Sequence, residues 1–278
     1  MTWRIPLRWL STFLSIAGML SLSVIFIFPF VWMILTAFKS YHETVVFPPI
    51  WIPSSWHPEN FVQAWTSGPF LHYLKNSLLV AFGILFFQIP TIVLAAYAFA
   101  RYKFFGRSFL FALTMVTLMV PGQLIFLPDF LLLSQMGLIN TLWSLILPFA
   151  SSAFGIFLVR QSFKQVPEEL IEAARLDEAK EWQIILNIMV PMARPALITF
   201  ALFSFITHWN DYFWPLVMTT DDAARTLPLG IAKLRQVEGG SAWHIVMAGN
   251  VILVLPILFV FLIAQRYIVR AFVYTGIK

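Results

Sequence analysis

With 278 residues, 60% of them hydrophobic and 11% charged, and a mean hydropathy of +0.82, the chain has too little polar surface to close around one core in water. Its 18 Lys and Arg against 13 Asp and Glu give a formal net charge of +5, but the basic residues are dispersed over segments between apolar runs, which excludes a basic face for nucleic acid. The absence of cysteine excludes disulfides, thiolate metal sites and cysteine nucleophiles.

A hydrocarbon core of about 30 Å is crossed by roughly 20 apolar residues of helix. Six windows meet that length, near 10–38, 76–100, 108–128, 141–159, 195–217 and 245–264. The expected fold is all-α, a polytopic membrane protein with six transmembrane helices, read as a single membrane domain over 1–278. Arg4 and Arg8 precede the first window as in a signal peptide, but the apolar run continues to Phe38 without a small-residue cleavage site, so it is read as an uncleaved span. With the N-terminus inside, Arg101, Lys103, Arg107, Arg160, Lys164, Arg175, Lys180, Arg194, Arg266, Arg270 and Lys278 join Arg4 and Arg8 in the cytoplasm. Lys39, Lys75, Arg225, Lys233 and Arg235 lie outside. That asymmetry places both termini in the cytoplasm.

Between the first two windows, residues 39–75 form an external segment rich in Pro, Trp and His, too broken for a long helix and too aromatic for simple disorder. It packs on the membrane surface or on a partner. Asn76 and Ser77 offer cap chemistry for the second span. Pro90, Pro121, Pro148 and Pro256 fall inside spans, where each removes a backbone donor and is expected to kink its helix. Polar side chains in the apolar windows tend to face a lumen or a neighbouring helix, which makes Gln88, Gln123, Asn210 and Asn250 candidates for a pathway. In "HWNDYFWP", Asp211 lies 17 residues after Arg194, about 25 Å along a helix and close to the outer interface. Trp209, Asp211 and Tyr212 join the pathway candidates. His208, Trp209 and Tyr212 fit an interfacial aromatic belt better than a sugar-stacking role.

The charges concentrate in residues 160–194, above all in "PEELIEAARLDEAKEW". Pro167 suits the first position of a helix, with Glu168 and Glu169 in its dipole-favoured first turn. Leu170, Ala173, Ala174 and Asp177 recur at helical spacing on one face, thinned by two alanines for close approach, and Glu169, Glu172 and Arg175 fall on the other. A second helix from Glu181 would set Trp182, Ile185, Leu186 and Met189 on a stripe and end at Pro191. Such a loop is either a solvated hairpin on the bilayer or a dock for a cytoplasmic partner.

"EAARLDEAKEWQIILNIMVPMARPAL" resembles the EAA loop of permease subunits of bacterial ABC importers. Glu172, Ala173, Ala174, Asp177, Ala179, Ile188 and Pro191 fit the pattern. "NSLLV", "AAYAFAR", "PGQLIFLPDFLLLSQMGLINT", "HWNDYFWPL", "TLPLG" and "QRYIVRAF" extend the likeness over nearly the whole chain, to carbohydrate-type permeases of the second maltose-type kind. The resemblance implies the type I importer permease fold, with a transmembrane core over about 72–266 and a coupling loop over 160–194. It also implies an ATPase-coupling role for Glu169, Glu172, Ala173, Ala174, Asp177, Glu178, Ala179 and Pro191. The implied cargo is a sugar or related polyol crossing the bacterial inner membrane. The implied partners are a second permease subunit, two copies of a cytoplasmic ABC ATPase carrying the ATP and Mg, and an external solute-binding protein. Glu178 stands where the family usually has Gly; if the turn needs a positive φ, it carries strain of about 1 kcal/mol or more.

The chain has no G-x-x-x-x-G-K-[ST] phosphate loop, so no nucleotide binds in that manner, and no cofactor is expected on it. The competing classes are an intramembrane enzyme and a proton-coupled secondary carrier. The first needs a metal-type cluster or a nucleophile with its base at mid-bilayer, yet His42, His57, His72, His208 and His244 lie at or beyond the outer boundary. The second needs titratable groups at mid-depth, and none is evident.

Overall fold

A computed structural model describes residues 7–236 and 242–273, with side-chain placement for 12–235 and 242–265. Among these residues every regular element is helical. The chain opens with α1 (Leu7–Ala37), followed by the short α2 (Tyr41–Val45) and α3 (Glu59–Thr66), and then by the long α4 (Phe70–Arg101). Next come α5 (Arg107–Val116), α6 (Gly122–Gln135), α7 (Leu142–Ile146) and α8 (Ala153–Lys164). The charged stretch forms α9 (Glu168–Leu176), α10 (Glu181–Ile184) and α11 (Val190–Met192). It leads into α12 (Arg194–Trp209), α13 (Phe213–Met218), α14 (Leu227–Lys233) and α15 (Trp243–Val273).

Among the described residues three uninterrupted helices are long and apolar enough to span a membrane: Thr12–Ala37 within α1, all of α4, and Trp243–Gln265 within α15. The other three windows differ from expectation in being broken. Arg107–Met119 meets α6 at 99°, because Pro121 offers no N–H and holds Val120 extended at φ −88°, ψ 113°. Leu142–Phe149, which contains Pro148, bends by 42° into α8, where the Ser152 hydroxyl caps Gly155. The fifth window stops at Trp209, after 16 residues, and resumes as α13 beyond a turn at 210–212. Pro90 and Pro256, by contrast, lie within continuous helices.

Asn76 and Ser77 do not cap α4, which starts at Phe70. Both are buried inside it and hold the segment after α13 instead. Asn76 Nδ2 donates to the carbonyls of Ala223 and Arg225, and the Ser77 hydroxyl accepts the N–H of Leu227, the first residue of α14.

Packing divides the chain into two units: residues 1–68 with 231–254, and residues 69–230 with 255–278. In the second, α4 is the central helix and packs on α8, α12 and α7. Ile92, Ala96, Tyr97, Val159, Phe163 and Phe200 belong to its main core. The helices meet closely at Gly155, where an added Cβ would overlap Ile92 Cδ1 and stand 2.8 Å from Phe200 Cε2. In the first unit, Asn60 Nδ2 donates to the carbonyls of Ala37 and Lys39 at 2.9 Å, satisfying acceptors that the end of α1 leaves open. The buried Glu43 accepts the backbone N–H groups of Ser40 and Ser54, each at 2.9 Å, and both hydroxyls.

Gly155→Val should therefore cost about 1–3 kcal/mol by overpacking, read as a lowered melting temperature of the purified protein. Gly18→Val, with nothing within 4 Å of its Cβ, serves as the neutral control. The Ser54 hydroxyl and N–H, then Ser40, draw the Glu43 pKa from 4.5 down to about 2. A depressed carboxyl stabilises the fold fully above its unfolded pKa and less as pH falls toward the folded value. Melting temperature should thus decline between pH 4.5 and 2, and Glu43→Gln should flatten that part of the decline.

Candidate functional site

The charged stretch folds as a helical hairpin after α8. Pro167 takes an extended conformation at φ −58°, ψ 137°, and α9 follows with Glu168 and Glu169 in its first turn. Ile171 is fully buried and seats the helix on the core around Tyr97 and Phe163. The face opposite Ile171 is open: Leu170, Glu172, Ala173 and Asp177 are exposed, and Leu176 is 85% exposed. The two alanines expected on one free face are separated. Ala173 looks outward, while Ala174, one turn from Ile171, packs on the core together with Ala179.

The turn after α9 is a Schellman motif. The Ala179 N–H reaches the Ala174 carbonyl at 2.9 Å and the Glu178 N–H reaches that of Arg175 at 3.1 Å, with Glu178 at φ 56°. A non-glycine residue at that angle costs about 1 kcal/mol. The second helix departs from the expected stripe: Ile185 and Met189 are buried with Ile184, whereas Trp182 and Leu186 face outward. Nor does Pro191 end it. The backbone widens into a π segment over Ile185–Met189, with the Val190 N–H bonded to the Ile185 carbonyl, and continues through α11 before a 78° bend into α12. The wider turn relieves the clash that a proline ring makes with the carbonyl four residues back.

Two polar clusters fix this hairpin to the end of α4. Arg101 Nη1 donates to Glu168 Oε2 at 2.6 Å, and its Nη2 to the carbonyls of Phe163 and Val166 at 2.6 and 2.5 Å, joining the last residue of α4 to the end of α8 and the start of α9. Glu181, the first residue of α10, accepts the Tyr97 hydroxyl at 2.5 Å and that of Tyr102 at 3.2 Å on Oε2; Arg175 Nη2 and Nε donate to Oε1 at 3.0 and 3.2 Å. The Tyr97 hydroxyl first, and then Arg175, hold the Glu181 carboxyl below the usual carboxylate range despite partial burial. The sequence marks Arg101 only by its charge and Glu181 only as a helix start, and does not show their pairing with Glu168 and with Tyr97 and Tyr102. The available signal was a run of Tyr and Arg exactly where an apolar span stops, in "AYAFARY".

The pathway candidates do not gather at one point. Gln88 is buried, and its Oε1 accepts the Ser204 hydroxyl at 2.6 Å, so it joins α4 to α12 and does not line an opening. Trp209 is 0% exposed and stacks on Phe205, which removes it from a lumen as well. Asn210, Asp211 and Tyr212 share the break between α12 and α13: Asn210 Nδ2 caps the Ile206 carbonyl, Asp211 Oδ1 accepts the Trp214 N–H, and Tyr212 is exposed. Gln123 is exposed in the first turn of α6, and Phe126 one turn on contacts Phe213 of α13 at 5.7 Å. Asn250 is half-buried on α15. Asp129 lines a cavity of about 370 Å³ with Ile125, Leu132 and Leu147. Among the described residues no group of three or more His, Asp or Glu side chains could hold a metal ion.

Residues 88–274 match the binding-protein-dependent transport system inner membrane component family. The chain is 34% identical over 254 residues to the probable ABC transporter permease protein YurM of Bacillus subtilis, covering 90% of this chain and 83% of that one. It is 32% identical over 279 residues to the arabinooligosaccharides transport system permease protein AraQ of Halalkalibacterium halodurans, covering 98% and 97%. The fold matches a chain in the crystal structure of a bacterial ABC transporter that imports the acidic polysaccharide alginate, with a TM-score of 0.83 at 21% identity over 96% of this chain and 100% of the other. By family and by sequence over nearly its full length, the chain belongs to the binding-protein-dependent transport system inner membrane components, as a multi-pass ABC permease and a transport subunit.

Proposed function

We propose that this permease moves a sugar or related polyol inward, and that the open face of α9 is where a separate ABC ATPase acts on it. The observation that carries the reading is the fastening of that face. Leu170, Ala173, Leu176 and Asp177 are left free while Arg101 and Glu181 tie the hairpin to the end of α4, so a push on α9 reaches a membrane span through charge-assisted hydrogen bonds. The printed cargoes of related permeases are arabinooligosaccharides, diacetylchitobiose, trehalose or maltose, and sn-glycerol-3-phosphate, which supports a polyhydroxylated substrate. The working assembly is this chain with a second permease subunit, two ATPase copies that carry ATP and Mg, and an external solute-binding protein. This chain binds no cofactor of its own. ATP-dependent uptake of labelled oligosaccharides and of glycerol phosphate into proteoliposomes tests the cargo; uptake of neither would sink it.

A Glu172→Lys, Ala173→Trp double substitution should weaken ATPase retention in a pull-down by at least about tenfold, about 1.4 kcal/mol, with the companion permease still bound. Equal retention would remove α9 as the dock. Tyr97→Phe and Glu181→Gln break one shared hydrogen bond, so together they should destabilise by less than the sum of the two, with a coupling of about 0.5–3 kcal/mol. Each should lower ATP-driven uptake while ATP hydrolysis continues. Unchanged uptake in both would mean that the link to α4 does not transmit.

A further inference from the structure

The external segment between α1 and α3 has a composition that water does not explain. Residues 44–58 include no Asp, Glu, Lys or Arg, and four of them are proline. Phe47 is 89% and Ile52 67% exposed, and Trp51 and Trp56 are exposed beside them. Large apolar side chains exposed side by side mark a surface that something apolar covers.

The segment is nevertheless held firmly. Glu43 gathers Ser40 and Ser54, and so closes the chain between them into a loop. The His57 N–H reaches the Phe38 carbonyl at 3.0 Å, and Asn60 caps Ala37 and Lys39. Fastened in this way beside the end of α1, the loop lays Trp51 back along the helix, 5.2 Å from the Trp32 ring and 5.8 Å from Phe28. Phe28 lies nine residues before Ala37, about 14 Å down the helix axis. The chain has no charged residue between Arg8 and Lys39, so Trp51 runs alongside the apolar part of a span. The Lys39 ammonium sits 4.0 Å over the other part of this aromatic group, the Trp32 ring.

Aromatic rings beside a lysine at the end of an apolar helix are the composition of a membrane–water interface. Irregular backbone cannot enter lipid hydrocarbon with its donors unpaired, which bars full insertion, but prolines 48, 49, 53 and 58 carry no N–H to satisfy. We infer that residues 45–56 lie in the outer lipid interface, with Phe47, Trp51 and Ile52 reaching the acyl boundary, and anchor the outer end of α1 in the bilayer. The occupant of this surface is lipid, continuous with the lipid around α1, whose most apolar stretch of 18 residues buries none of them within this chain.

Because the chain has no cysteine, single cysteines can be introduced at Phe47 and at Ile52 and spin-labelled in the whole transporter, its partners' cysteines removed, in lipid nanodiscs. Phe26→Cys marks the lipid-facing span and Gln63→Cys the aqueous side. Accessibility to oxygen, relative to a water-soluble nickel chelate, should be at least about threefold higher at 47 and 52 than at 63 and should approach the value at 26. Glu43→Gln, which opens the clasp, should move both positions toward the value at 63. A ratio at 47 and 52 equal to that at 63 would put the loop in water. Exclusion of both reagents would show a protein partner on it. Either result overturns the inference.

Discussion

The C-terminal end of α4 depends on a single arginine. Arg101 has one guanidinium arm on Glu168 and the other on the carbonyls of Phe163 and Val166. These carbonyls lie in and just beyond the last turn of α8, where helical acceptors run out of donors; that of Phe163 also takes the Val166 N–H at 3.3 Å. A cation supplied from a neighbouring span satisfies them and sets where the charged hairpin begins. Glu181 repeats the arrangement one helix later with Tyr97, Tyr102 and Arg175. Both clusters draw on the final turns of one span, so α9 and α10 are positioned by α4 and not only by their own loop.

Within the second unit, polar groups fasten several of the places where the apolar helices meet. Gln88 and Ser204 pair between α4 and α12, Trp214 Nε1 donates to the Ser144 carbonyl, and Ser77 holds the start of α14. The breaks have the same logic. At 120–121 and 210–212 the backbone leaves the helix, and at the second Asp211 takes up the freed N–H of Trp214 while Asn210 adds a side-chain donor to the Ile206 carbonyl that its own N–H already holds. Non-helical backbone at membrane depth persists only where such groups are satisfied within protein or face water. The exposed Gln123 and Tyr212 lie beside these breaks.

Much of this molecule follows from local rules that a sequence displays. Apolar runs of the right length mark spans, Pro167 with Glu168 and Glu169 marks the start of α9, and the glycine-demanding turn at Glu178 shows through the resemblance of its flanks. The face of α9 was legible only in part. Helical spacing groups Leu170, Ala173 and Ala174, but burial of Ile171 rotates the helix so that Ala174 faces inward. Spacing tells which residues are neighbours and leaves open which neighbour meets the core.

By itself the sequence determined that the chain is a polytopic helical membrane protein of the ABC-permease kind, because length, hydropathy and motif spacing are properties of the chain in order. Tertiary structure alone decided that Gln88 and Trp209 are packing groups, that Asn76 and Ser77 serve the loop after α13, and that Arg101 and Glu181 join α4 to the hairpin. The physical reason is separation along the chain. Tyr97 and Glu181 stand 84 residues apart, and Ser77 and Leu227 150 apart. Whether a polar side chain lines an opening or closes a hydrogen bond depends on the partner that folding brings to it.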